Sequence, residues 1–71
     1  MSFNYSKLKG KIVEVFGTVD KFSDAAKMSA TTAGRKLSGK SLWSQDEIVT
    51  ACDLLKIPMD EMTMYFFCRA S

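Results

Sequence analysis

From Ser6 onward the apolar residues fall at Leu8, Ile12, Val15 and Phe16, the i, i+4, i+7, i+8 spacing of one helix face, and the pattern stops at Gly17. Thr18 follows as an N-cap residue, and Phe22, Ala25 and Ala26 supply the inward face of a short second helix ending near Lys27. Only Met28 separates that end from Ser29, another N-cap residue, so a third helix starts at once and at a steep angle to the second. It runs from about Ala30 to Leu37, with Ala33 and Leu37 inward, and Gly39 ends it.

Ser44 and Glu47 have the spacing of a capping box and open a fourth helix with Ile48, Ala51, Cys52 and Leu55 on one face. Pro58 blocks its continuation and starts a last helix through Met59 to Met62, finishing in the apolar run Met64 to Phe67. Of Met64, Phe66 and Phe67, two are expected to close the core; the other use for these side chains is a dimer seam. No strand pattern is strong enough to place. The expectation is an all-α, compact five-helix domain occupying residues 1–71.

Composition narrows what such a domain does. With 46% hydrophobic and 25% charged residues the 71-residue chain is ordinary globular material, yet a chain this short buries only about 60% of its unfolded surface, so its stability is marginal or assisted by a partner. No apolar run is long enough for a transmembrane helix, and no signal-peptide pattern is present, so a cytosolic location is expected. There is no histidine, and Cys52 and Cys68 stand far apart and are expected as two reduced thiols. A metal site therefore lacks ligands, the usual general base is missing, and neither enzyme activity nor a cofactor is expected.

Charge points to the middle of the chain. Residues 27–40 carry Lys27, Arg35, Lys36 and Lys40 and no carboxylate, whereas residues 41–71 carry Lys56 and Arg69 against Asp46, Glu47, Asp53, Asp60 and Glu61. A local basic segment on a nearly neutral domain suits a module that meets phosphates or an acidic partner along one edge; a solvated face explains such runs about equally often.

Two short helices across a tight turn, in positions 2 and 3 of a five-helix domain, resemble the helix-turn-helix of phage repressors of the Cro and CI type, the lambda-repressor-like fold. The stretches "NYSKLKGKIVEVFGT" and "MSATTAGRKLSGKSLWSQDEI" resemble more narrowly the small Cro-position proteins of temperate phages of Gram-positive bacteria, and within them the modulator-of-repression branch of lactococcal phage switches. That resemblance implies an antirepressor in the bacterial cytosol, one that binds the N-terminal DNA-binding domain of the phage CI repressor and keeps it from its operators. The alternative it implies is a Cro-like repressor acting directly on operator DNA.

Departures from the DNA-reading pattern separate the two. DNA-binding relatives commonly begin the second helix with Gln, where this chain has Val19, and carry Gly in the turn, where it has Lys27. The start of the third helix, which in such relatives offers long polar side chains to base edges, is here Ala30, Thr31 and Gly34. Gly34 also costs about 1 kcal/mol relative to Ala inside a helix, a penalty that fits a position where a partner must come close. The residues expected at a repressor-binding face are Val19, Asp20, Asp24, Ala30, Thr31, Gly34, Arg35 and Leu42, the two aspartates being either solvated surface, the default for such charges, or stand-ins for phosphate. For direct DNA binding, Thr31, Thr32, Arg35, Lys36 and Lys40 are expected to carry the contacts. Ala33 is expected to pack internally, and Trp43 either to plug the core or to anchor an interface. Weak or ternary DNA binding, and a monomer or weak homodimer, are compatible with either function.

Overall fold

The computed structural model describes residues 3–69. Its elements are α1 (Ser6–Phe16), α2 (Val19–Ala25), α3 (Ala30–Leu37), α4 (Gln45–Leu55), and a 3₁₀ turn (Met59–Glu61) that leads directly into α5 (Met62–Phe66). The fold is all-α, as the apolar spacing predicts. One detail outside the helices ties the ends together: Phe3 and Arg69 form an isolated antiparallel bridge, and the Asn4 N–H donates to the Cys68 carbonyl at 2.7 Å.

The helix starts follow from the caps. Thr18 Oγ1 accepts from the Lys21 N–H, Ser29 Oγ from the Thr32 N–H, and Ser44 and Glu47 close a reciprocal capping box. The helix ends share one device. After α2, the Met28 N–H donates to the Ser23 carbonyl and the Lys27 N–H to Asp24, with Lys27 left-handed at φ 60°. After α3 the same pair of bonds runs from Lys40 to Arg35 and from Gly39 to Lys36, with Gly39 at φ 84°. After α4 it runs from Ile57 to Cys52 and from Lys56 to Asp53, with Lys56 at φ 56°. All three are Schellman motifs, and in two of them a lysine sits where glycine is favoured.

α1 packs against α2, α3, α4 and α5, and the core gathers on it: Leu8 and Ile12 are fully buried with Phe22, Ala51, Cys52, Leu55, Ile57 and Phe66 around them. Tyr5 and Tyr65 complete the cluster. Burial raises the pKa of the Tyr5 phenol and also that of the Cys52 thiol, where burial outweighs the smaller push from Asp53. Cys52 and Cys68 are free thiols, the first buried and the second exposed.

Three expectations of burial need correction. Val15 is 45% exposed; the chain turns at Gly17 and brings Phe22 of α2 onto Phe16 (ring centroids 5.7 Å), so α2 covers Phe16 rather than Val15. Ala25 is exposed because the inward stripe of α2 runs Val19, Phe22, Ser23, Ala26; Ser23 is buried without penalty, since its hydroxyl donates to the Asp20 carbonyl at 2.7 Å. Of the three C-terminal side chains, only Phe66 is buried, while Met64 and Phe67 are about half exposed, so two of the three do not close the core. α5 is only five residues long and turns a single face to α1.

Candidate partner-binding face

α2 and α3 pack on each other and on α1, and the residues singled out from the sequence lie along these two helices and the loop that follows α3. Asp20 and Asp24, one turn apart on α2, are exposed. On α3, Ala30, Thr31, Gly34 and Arg35 are exposed and Ala33 is fully buried against the neighbouring helices. Val19 is half-buried; with Lys9, Gly34, Leu37 and Ser38 it lines a shallow pocket of about 290 Å³ where α1, α2 and α3 meet. A Cβ placed on Gly34 would meet nothing within 4 Å, so no internal contact demands glycine there. Ala30 and Gly34 thus make a bare strip of helix, without a side-chain hydrogen-bonding group, facing outward.

Several polar groups of this region are already engaged. The Ser29 hydroxyl donates to Thr32 Oγ1 at 2.8 Å, which ties Thr32, half-buried, into the cap of its own helix. Arg35 Nε donates to Ser41 Oγ at 3.3 Å. Lys36 departs furthest from expectation. Expected at a phosphate, it is instead 7% exposed, with its ammonium donating to the Leu42 carbonyl at 2.7 Å and lying 2.8 Å from Glu47 Oε1. The same Glu47 oxygen accepts from the Ser44 N–H at 2.8 Å, and its carboxyl pKa is lowered chiefly by the bond to Lys36, then by the one to the Ser44 backbone. The exposed cations of residues 27–40 are therefore Lys27, Arg35 and Lys40. The spacing of α3 hides Lys36 because it falls three residues after Ala33, on the buried face, where a long stem reaches across to α4.

Beyond α3 the chain reaches Leu42, whose side chain is 83% exposed, and Trp43, which turns inward. The Trp43 ring packs edge-on to Phe66 (centroids 5.1 Å) and tilted on Tyr5 (6.3 Å), with the Lys36 ammonium 6.0 Å from its centroid. Trp43 thus serves the core. Its outer edge joins Gln45, Ile48, Val49, Met59, Met62 and Phe67 around a second apolar hollow of about 420 Å³ on the α4–α5 side, a feature the sequence pattern did not suggest. Among the described residues no group of His, Cys, Asp and Glu side chains is placed to hold a metal, and no helix is long and apolar enough to cross a membrane.

A family model described as a protein of unknown function (DUF739) matches residues 1–69. The solution structure of the modulator of repression (MOR) of the temperate bacteriophage TP901-1 from Lactococcus lactis is similar to this fold with a TM-score of 0.81. It is 40% identical in sequence, over 94% of this chain and 90% of that one. No curated protein matches the sequence.

Proposed function

Because this chain belongs to the DUF739 family and resembles a phage modulator of repression over nearly its whole length, we propose that it regulates the genetic switch of a temperate phage. In this role it is an antirepressor in the bacterial cytosol. It binds the N-terminal DNA-binding domain of the phage CI repressor and covers the surface that would otherwise enter the major groove, which favours the lytic state. α2 and α3 keep the helix-turn-helix arrangement but present a contact surface for protein rather than for bases.

The observation that carries this function is the exposed strip of α3. Ala30 and Gly34 offer no hydrogen bond to a base edge, and Thr31 offers one hydroxyl. Small residues on a helix let another backbone approach closely, and the shallow pocket beside Val19 and Gly34 accepts an apolar side chain. Asp20 and Asp24, exposed one turn apart, suit the basic residues with which a repressor grips DNA. The test is competition: purified protein titrated into a CI–operator complex releases the operator DNA, and a complex that persists at saturating protein overturns the proposal.

The exposed Lys27, Arg35 and Lys40 favour a second function, a Cro-like repressor on operator DNA, either alone or with CI in a ternary complex. Three such contacts give a salt slope of about −2.7 in log affinity against log salt, and binding of operator and random DNA with equal, weak affinity counts against sequence-specific repression.

A further inference from the structure

The loop between α3 and α4 is tied down on both sides of Leu42, yet the Leu42 side chain stays out. The Lys40 and Ser41 N–H groups both donate to the Arg35 carbonyl, at 2.9 and 3.2 Å. The Leu42 carbonyl receives the Lys36 ammonium at 2.7 Å, Trp43 is locked between Phe66 and Tyr5, and the Ser44 N–H donates to Glu47. The Leu42 side chain stays 83% exposed in the midst of this.

A singly exposed leucine is ordinary; one on a backbone pinned from both sides is less so. The pin is also an unusual choice. Lys36 is buried and Glu47 partly so, and such an ion pair stabilises little better than apolar side chains of the same volume, because desolvation offsets the attraction. A methionine at position 36 would fill the same space. What a lysine adds is a donor that reaches the Leu42 carbonyl and the Glu47 carboxylate together, and so fixes how the loop leaves the domain. A side chain whose carrier is already ordered loses less conformational freedom on docking, which is how preorganised anchors gain affinity.

We propose that Lys36 is a positioning residue that, with Glu47, holds Leu42 out as a preformed anchor for a leucine-sized apolar cleft on the repressor's DNA-binding domain. This rests on the antirepressor function and assigns within it the residue that makes the central apolar contact. Lys36, which its charge alone would assign to phosphate, acts instead through Leu42.

The experiment is a double-mutant cycle read by calorimetric titration against the CI N-terminal domain, using wild type, Leu42→Ala, Lys36→Met and the double variant. Leu42→Ala is expected to weaken binding by at least about tenfold. Lys36→Met is expected to weaken it by roughly threefold to tenfold, and the double variant to bind no more weakly than Leu42→Ala alone. Circular dichroism melting verifies that each variant folds. Should Lys36→Met not fold, Glu47→Gln takes its place, with the same non-multiplying pattern expected. Wild-type affinity in Leu42→Ala, or losses that multiply in the double variant, overturns the assignment while leaving the antirepressor function standing. A wild-type protein that does not bind the domain at all overturns both.

Discussion

The indole of Trp43 meets the ring of Phe66 edge-on, with centroids 5.1 Å apart and planes at 82°, and through it the α3–α4 loop is fastened to α5. The indole Nε1 is buried without an acceptor among the described residues, so the aromatic surface, not a hydrogen bond, is what Trp43 contributes. Trp43→Phe is expected to cost about 1 kcal/mol or less, whereas Trp43→Ala costs about 3 kcal/mol. In a domain of this size each kcal/mol lowers the melting temperature by roughly 4–8 °C, so thermal denaturation separates the two. Equal losses would mean that the indole nitrogen has a partner after all.

The Lys36–Glu47 pair makes stability depend on acid. Glu47 has its folded pKa depressed below the ordinary 4.5, first by Lys36 and next by the Ser44 backbone. A depressed carboxyl contributes stability that is fully present above the unfolded value and is lost as pH falls through the folded one. Chemical denaturation from about pH 6 to about pH 3 is expected to show this loss below the ordinary glutamate range, and Glu47→Gln to flatten that part of the curve. Because Glu47 retains solvent contact, the effect is modest. An unchanged slope in the glutamine variant would remove Glu47 as its source.

Lys27 and Lys56 occupy the left-handed position of their Schellman motifs at φ 60° and 56°. A Cβ is disfavoured there by about 1 kcal/mol or more, partly offset by the greater freedom glycine has in the unfolded chain. Lys27→Gly and Lys56→Gly are each expected to stabilise by about 0.5–1 kcal/mol, and Lys27→Val to destabilise by more than that. Urea midpoints at fixed pH measure all three.

Helix positions were legible because the caps are local: Thr18, Ser29 and the Ser44–Glu47 box announce their helices within four residues, and α3 spans the residues expected of it. The inward faces of α3 and α4 followed from spacing as well, with Ala33, Ala51, Cys52 and Leu55 buried. What escaped were residues whose character and place disagree. Ser23 and Lys36 are polar by type but sit on the buried side, each made tolerable by a partner that only the fold supplies: the Asp20 carbonyl for one, Leu42 and Glu47 for the other. Tyr5 precedes α1 and enters the core by meeting Trp43, a contact between distant parts of the chain that periodicity does not encode. The α4–α5 hollow escaped for the same reason, since Trp43, Ile48, Met59 and Phe67 meet there only once the last turn folds back. Of the proposed repressor-binding face, Asp20, Asp24, Ala30, Thr31, Gly34, Arg35 and Leu42 lie in the open and Val19 is half-buried; Lys36, expected only for direct DNA binding, is buried.

Gly34 offers a way to separate folding from recognition. Inside α3, with open space for 4 Å around the point a Cβ would occupy, a methyl group strains no internal contact, and alanine favours the helix by about 0.5–1 kcal/mol. Gly34→Ala is therefore expected to raise the melting temperature by several degrees. If α3 docks closely on the repressor, the same methyl intrudes at the rim of the pocket it shares with Val19 and Leu37, where overpacking costs about 1–3 kcal/mol, or roughly fivefold to more than a hundredfold in affinity. The expected outcome is a more stable protein that binds the CI domain more weakly and releases less operator DNA. A variant that melts higher and competes as well as wild type would show that this strip of α3 stays open in the complex, and that the repressor is held elsewhere on the surface.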